Sequence, residues 1–134
     1  MSAERRLTYV DSSAIVKLAV EEPESKALRR YLARRQPLVS SALARTEVAR
    51  ALLSAGPEAL ARGREALRRV ELLRVNDRVL TEAGILEPVE LRSLDAIHLA
   101  SARQLGPSVR QIVTYDERMT EAAEAAGWSV ASPS

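Results

Sequence analysis

The sequence alternates between short runs of β-branched and aliphatic residues and longer stretches rich in Ala, Leu, Arg and Glu. This alternation is typical of an α/β fold in which helices connect parallel strands. We predict strands near residues 7–11, 37–41, 71–75, 111–114 and 128–131. We predict helices near residues 12–20, 24–35, 43–54, 57–69, 77–86, 93–104 and 117–126. The long connections favour crossovers, so we expect a three-layer α/β/α sandwich around a mostly parallel five-stranded sheet.

Residues at the ends of the predicted elements support these boundaries. Ser93 is expected to cap the helix that carries Asp95, and Gly106 with Pro107 should end it. Gly127 should separate the last helix from the last strand. The tail, residues 132–134, is expected to be frayed.

Length and composition restrict the class of protein. The 134 residues predict one domain, 1–134, with a core of Ala, Val, Leu and Ile, since aromatic residues make up only 3% and Phe is absent. So few aromatic rings argue against a single-strand binder that stacks bases. The absence of Cys excludes disulfides and thiolate metal sites. No apolar stretch of signal-peptide or membrane-span length occurs, so we expect a soluble cytoplasmic protein.

Acidic residues occupy a distinctive set of positions. The chain has four Asp against fourteen Glu. Asp11 and Asp116 directly follow predicted strands, Asp95 opens a predicted helix, and Glu47 lies in the first turns of another. Ligands bind at the carboxyl ends of parallel strands. Four carboxylates gathered there would repel one another, so the pattern predicts a divalent metal site.

Each of these acids also has a simpler explanation. Asp11 and Asp116 could be helix N-caps, and Asp95 could favour a helix dipole. Glu47 could be an ordinary exposed helix residue. The combination of four acids on one predicted rim favours the metal site, because a half-buried carboxylate such as Asp95 needs a partner or a cation. Ligation by oxygen alone selects Mg²⁺ or Mn²⁺, which suits phosphoryl chemistry.

The ordered motifs of the chain resemble the PIN-domain ribonucleases of the VapC toxin type. Four segments carry the resemblance in order, supported by the ending AAGWSV: YVDSSAIVKL at 9–18, TEVARAL at 46–52, LRSLDAIHLA at 91–100 and VTYDERM at 113–119. The resemblance spans nearly the whole chain. It implies a PIN-like fold and a Mg²⁺-dependent endoribonuclease, with Mn²⁺ able to substitute, that acts as the toxin of a toxin–antitoxin pair.

The same resemblance implies roles for individual residues. Asp11 and Asp95 would be the principal metal ligands, whereas Glu47 and Asp116 would complete the acidic pocket directly or through water. The residues implied to hydrogen-bond the pocket or a phosphate are Ser12 and Thr114. Water activated by one or two metal ions would attack in line and leave a 5′-phosphate and a 3′-hydroxyl. The implied partners are RNA, a small VapB-type antitoxin that blocks the pocket, and a second copy in a homodimer.

Several basic residues allow two interpretations. His98, the single histidine, could act as a general acid, orient Asp95, or be a satisfied helix residue. Lys17 could reach a phosphate or pair with Glu21. Two Arg groups, each on one predicted helix, could carry RNA or antitoxin or be solvated faces: Arg29, Arg30, Arg34 and Arg35, and Arg62, Arg64, Arg68 and Arg69.

Other functions fit the residues less well. A phosphoacceptor receiver domain would need a Lys after the last strand, and no Lys follows Lys26. A phosphatase of the haloacid dehalogenase kind would need a second acid two residues after Asp11, where Ser13 stands. The remaining alternative is a PIN-like module that binds RNA or protein with little or no catalysis.

Overall fold

The computed structural model describes residues 6–134 as strands separated by one or two helices. Residues 1–5, part of the segment in which no signal sequence was expected, lie outside the described residues. The strands are β1 (Leu7–Val10), β2 (Leu38–Ser41), β3 (Val70–Leu73), β4 (Val109–Val113) and β5 (Val130–Ala131). The helices are α1 (Ser12–Ala19), α2 (Ser25–Ala33), α3 (Ala44–Leu52), α4 (Pro57–Leu67), α5 (Asp77–Gly84), α6 (Ser93–Leu105) and α7 (Glu117–Ala125).

The five strands form one sheet in the order β3-β2-β1-β4-β5, and every neighbouring pair is parallel. From β1 the chain first builds outward through β2 and β3, and it then crosses to the other side of β1 to add β4 and β5. The order therefore reverses between β1 and β4, where a crevice opens at the carboxyl ends of the strands.

Helices cover both faces of the sheet and enclose two apolar cores. Alternate residues of β1 point to opposite faces, so Val10 joins a core with α1, α2, α3 and α4, whereas Leu7 and Tyr9 join a core with α6 and α7. These three layers confirm the predicted α/β/α sandwich with its parallel five-stranded sheet.

Three strands differ from the prediction by two residues at one end, and the other two by a single residue. β3 spans Val70–Leu73 rather than 71–75, because its pairing with β2 runs from Leu38 opposite Val70 to Ser41 opposite Leu73. β4 begins earlier, at Val109. β5 is limited to Val130–Ala131, because the amide of Trp128 is used to close the end of α7 on the carbonyl of Ala123.

Two smaller predictions were wrong. Ser93 is the first residue of α6 and not its cap, because the carbonyl of Arg92 already accepts the amide of Ala96. The tail is fixed by side-chain hydrogen bonds: Ser132 donates to the carbonyl of Thr114 at 2.5 Å, and the hydroxyl of Tyr115 donates to the carbonyl of Pro133 at 2.6 Å.

We expect Ile15→Ala to lower the free energy of unfolding by about 3 kcal/mol, because it opens a cavity under α1. Ile15 is 0% exposed, and Ile85 at 81% exposure is a matched control of the same residue type. Urea unfolding of both variants measures the difference. Equal stability of the two variants would contradict this assignment of the core.

In the part of the chain that the structure describes, no helix combines the length and apolar character needed to cross a bilayer.

Candidate active site

The predicted acids meet at the crevice between β1 and β4. Asp11 follows the last residue of β1, and Asp116 caps the helix that follows β4. Glu47 and Asp95 both lie in the first turn of their helices, α3 and α6. The charges of the other three acids all raise the pKa of Asp95, so the four carboxylates share one electrostatic environment.

Asp11 is buried and held by three donors. One carboxylate oxygen, Oδ1, accepts from the Ser13 hydroxyl at 2.6 Å and from the Ala14 amide at 3.2 Å. The other, Oδ2, accepts from the Thr114 hydroxyl at 2.6 Å. Burial raises the pKa of Asp11, and the hydrogen bonds from Ser13 and Thr114 oppose this only in part. These three hydrogen bonds hold the Asp11 carboxylate in one orientation. Because a carboxylate has about four lone-pair sites, Asp11 retains acceptor capacity.

Glu47 is held through only one of its carboxylate oxygens. Oε1 accepts from the Ser12 hydroxyl at 2.5 Å and lies 2.7 Å from Nε2 of His98. Burial alone would raise the pKa of Glu47, but the hydrogen bonds from His98 and Ser12 outweigh burial and hold the pKa below its ordinary value. Glu47 is therefore an ionised carboxylate in a fixed orientation.

Asp116 is the N-cap of α7, as its simpler explanation predicted. Its Oδ1 accepts from the amides of Arg118 at 2.9 Å and Met119 at 3.4 Å. The amide of Asp116 in turn donates to the Thr114 hydroxyl at 3.0 Å, which links this cap to Asp11. Capping occupies one oxygen and leaves the other available, so the two roles are compatible.

Asp95 is the acid without internal support. Among the described residues no donor contacts its half-buried carboxylate. Burial is the largest cause of its raised pKa, followed by repulsion from Asp116; attraction to His98 opposes the rise in part, and weaker repulsion from Asp11 and Glu47 adds to it. A half-buried carboxylate that lies near three others and has no hydrogen-bond donor favours a bound cation.

The oxygen atoms that line this pocket are the kind of ligand that a hard cation such as Mg²⁺ prefers. Within residues 6–134 no three Asp, Glu or His side chains stand close enough to enclose an ion by themselves. Mg²⁺ does not require such an enclosure, because it keeps several waters and is held by one or two carboxylates. The residues present therefore fit Mg²⁺, which one or two of the acids would hold directly and the others through water.

Three side chains that hold the pocket were missed or only partly foreseen. Ser13 donates to Asp11 and accepts from the Tyr115 amide at 2.9 Å, which joins α1 to the end of β4. His98 is a satisfied helix histidine, and it contacts Glu47 instead of orienting Asp95. Tyr9, which begins the first motif but was given no role, contacts the other ring nitrogen of His98. The available signal was a tyrosine on a buried strand, since a buried phenol usually finds a partner.

Lys17 is engaged by acids other than the predicted one. Its ammonium lies 2.8 Å from Glu24 and 3.5 Å from Glu22, and 4.9 Å from the centre of the Tyr115 ring. Pairing with Glu21 was wrong, because α1 ends at Ala19 and Glu21 no longer has the i+4 geometry. Lys17 thus ties the loop after α1 to the end of β4.

Parts of both Arg groups line two grooves of about 500 Å³, and none of the four acids lines either groove. Arg64 and Arg68 lie in the groove between α3 and α4. The second groove lies between α1, α2 and α4, where Arg62 donates to the carbonyl of Ala19 at 3.0 Å. Whether these groups carry RNA or antitoxin stays a prediction.

Asp116→Asn and Asp116→Ala should separate capping from catalysis. Asn keeps an acceptor for the α7 amides, so we expect stability near that of the wild type, whereas Ala should lose about 1 kcal/mol. Both variants lose the charge and should cleave RNA more slowly. Thermal unfolding and cleavage assays on the same preparations measure the two effects. If Asp116→Asn cleaved RNA at the wild-type rate, Asp116 would act only as a helix cap.

Comparison with known proteins identifies the family of the chain. A PIN domain family profile matches residues 8–125. Ribonuclease VapC46 of Mycobacterium tuberculosis is 61% identical over 126 residues, which cover 94% of this chain and 97% of the relative.

Two solved structures share the fold. The M. tuberculosis toxin VapC20, described as cleaving the sarcin-ricin loop, matches with a TM-score of 0.73 and 20% identity over 94% of this chain and 99% of the other. A toxin–antitoxin complex from Klebsiella pneumoniae matches with a TM-score of 0.72 and 17% identity over 95% and 98%. These identities support the fold, whereas the family assignment rests on the profile and on the 61% identical relative. The chain therefore belongs to the PIN-domain family, among its VapC ribonucleases.

Proposed function

We propose that this chain is a Mg²⁺-dependent endoribonuclease and the toxin of a toxin–antitoxin pair. One observation carries the proposal: Asp95 has no donor among the described residues and is repelled by Asp116, Asp11 and Glu47. Such an arrangement opposes folding without a cation, and it lies at the crevice where α/β folds bind ligands. The name of the 61% identical relative, a ribonuclease, supports RNA as the substrate.

Asp95 and Asp11 would hold the metal, with Glu47 and Asp116 directly or through water. Mg²⁺, for which Mn²⁺ could substitute, would lower the pKa of a water and offset charge on the phosphate. The chain itself keeps the acids in place: Ser13 and Thr114 fix Asp11, and Ser12 fixes Glu47. Ser12 and Thr114 are thus engaged with the acids, so we assign them to the pocket in preference to the phosphate.

The partners follow from the same family. We propose a VapB-type antitoxin as the inhibitor, which is supported by the toxin–antitoxin complex among the structural neighbours. We also propose that the chain is a single domain that forms a homodimer and acts in the cytoplasm, where RNA is available. Light scattering of the purified toxin measures the dimer.

The deciding experiment is cleavage of a structured RNA mixture by the purified toxin, freed from antitoxin, with Mg²⁺ or with EDTA. Asp11→Asn, prepared identically, controls for contaminating nuclease. We expect cuts with 5′-phosphate ends that require Mg²⁺ and are absent from the variant. Equal cutting by both proteins would indicate contamination. RNA binding without any cleavage by the wild type would favour the alternative of a binding module.

A further inference from the structure

A chain of buried hydrogen bonds leads from the sheet to the acidic pocket. The hydroxyl of Tyr9 lies 2.7 Å from Nδ1 of His98, and Nε2 of the same ring lies 2.7 Å from Oε1 of Glu47. The two rings meet edge to face, with their centres 5.8 Å apart. Tyr9 is 1% and His98 2% exposed, so the contact between them is shielded from water, whereas the Glu47 side chain is 22% exposed.

The direction of each hydrogen bond follows from the groups at the two ends. An ionised carboxylate only accepts, so Nε2 of His98 must carry the proton that faces Glu47. Burial raises the pKa of Tyr9 far above its ordinary value, and the nearby hydroxyls of Ser40 and Ser101 do not offset this rise. The phenol therefore keeps its proton, and it can donate that proton to Nδ1 of His98 when Nε2 carries the ring proton. The partner of Nδ1 thus selects the tautomer that donates to Glu47.

These hydrogen bonds determine which carboxylate oxygen of Glu47 is free. Oε1 receives both His98 and Ser12, whereas no described residue donates to Oε2. Two donors on one oxygen, one from α6 and one from α1, leave the carboxylate little freedom to rotate. Oε2 is thereby left as the acceptor for a cation or for its water.

We propose that Tyr9 and His98 are positioning residues that fix the Glu47 carboxylate and so set the affinity of the pocket for its divalent cation. This inference rests on the proposed metal site. Neither residue is one of the four acids, and neither needs to contact RNA in this role.

The tautomer of His98 can be measured directly, because it is the single histidine of the chain. Protein made without a histidine tag and labelled with ¹⁵N-histidine yields one pair of ring-nitrogen resonances in a long-range ¹H–¹⁵N spectrum. We expect a protonated Nε2 and an unprotonated, hydrogen-bonded Nδ1. Tyr9→Phe should shift the Nδ1 resonance and leave the Nε2 proton in place. If Nδ1 carried the proton and Nε2 did not, or if the ring-nitrogen chemical shifts were averaged between the two tautomers, the inference would be overturned even if the enzyme is active.

Metal affinity tests the positioning role itself. Titration with Mn²⁺, with the free ion counted by electron paramagnetic resonance, needs no RNA. We expect His98→Leu to bind Mn²⁺ about 10–100-fold more weakly, the usual effect of losing a group that orients a ligand. His98→Gln retains an N–H for Glu47 and should recover much of the affinity. Tyr9→Phe should be intermediate.

Tyr31→Phe is the matched control, because it removes a different tyrosine hydroxyl that also makes a hydrogen bond, donating to Gln111 at 2.6 Å. Circular dichroism verifies that each variant is folded. Should His98→Leu be unfolded, the comparison of Tyr9→Phe with Tyr31→Phe decides, and equal Mn²⁺ affinity of these two would overturn the inference. A wild type with the expected tautomer but no Mn²⁺ binding would refute the proposed function and the positioning role together. Mn²⁺ binding without RNA cleavage would refute the proposed nuclease while this inference stands.

Discussion

Asp95→Asn should slow Mg²⁺-dependent RNA cleavage by on the order of 10³-fold while the protein stays folded. The substitution keeps the shape of the side chain but removes the charge of the one acid of the pocket to which no described residue donates a hydrogen bond. Loss of a charged metal ligand removes several kcal/mol of stabilisation from the transition state, and each 1.36 kcal/mol is about tenfold in rate. The fold should persist, because the Asp95 side chain donates to and accepts from nothing within the described residues.

Asp77→Asn is the matched control for this loss. Asp77 also lies in the first turn of a helix, α5, but the cap of that helix is Asn76 and not an acid of the pocket. Single-turnover cleavage of a labelled RNA in excess enzyme measures the chemical step for both variants. Equal cleavage rates for Asp95→Asn and Asp77→Asn would show that Asp95 is not part of the active site.

Mg²⁺ should raise the melting temperature of the wild type and leave that of Asp95→Asn nearly unchanged. The folded state holds a proton on Asp95 to a higher pH than the unfolded chain does, because burial and the neighbouring acids raise its pKa. At a pH between the pKa of Asp95 in the unfolded chain and its raised pKa in the folded state, the folded state therefore binds more protons. The free energy of unfolding without metal then falls as pH rises between these two values. A cation that binds only the folded state adds about 2.7 kcal/mol at 100 times its dissociation constant.

Differential scanning fluorimetry with Mg²⁺ or with EDTA, at matched ionic strength, measures this effect. In EDTA the Asp95→Asn variant should melt close to the wild type, since removal of the repelled charge offsets the loss of a favourable charge at the start of α6. An equal Mg²⁺ shift in both proteins would mean that the ion binds elsewhere. Asp77→Asn should keep the full wild-type shift.

Much of the fold was predictable because its signals are local. The β-branched runs and the positions of Gly and Pro marked all five strands and seven helices, and Gly106 does end α6. The meeting of Asp11 and Asp116 followed from a general rule, that parallel strands end at the same edge. The strand order, which puts β1 beside β4, came from the structure.

What sequence reasoning missed depends on contacts between distant elements. Tyr9 and His98 are 89 residues apart, and their contact exists only because α6 packs on the face of β1 to which Tyr9 points. The error over Lys17 was of another kind. One residue of helix length decides whether i+4 geometry exists, and element ends are the least reliable part of a prediction.

The position of β4 beside β1 has a consequence for synthesis of the chain. Asp11 depends on Thr114, which follows it by 103 residues, and Asp116 comes later still. A polypeptide that stops before β4 lacks the hydroxyl that fixes the first acid and the whole of the fourth. No amino-terminal fragment that ends before Asp116 can therefore carry all four acids. If translation stops before that residue, the product lacks the complete site, so any nuclease activity begins only after Asp116 has been added.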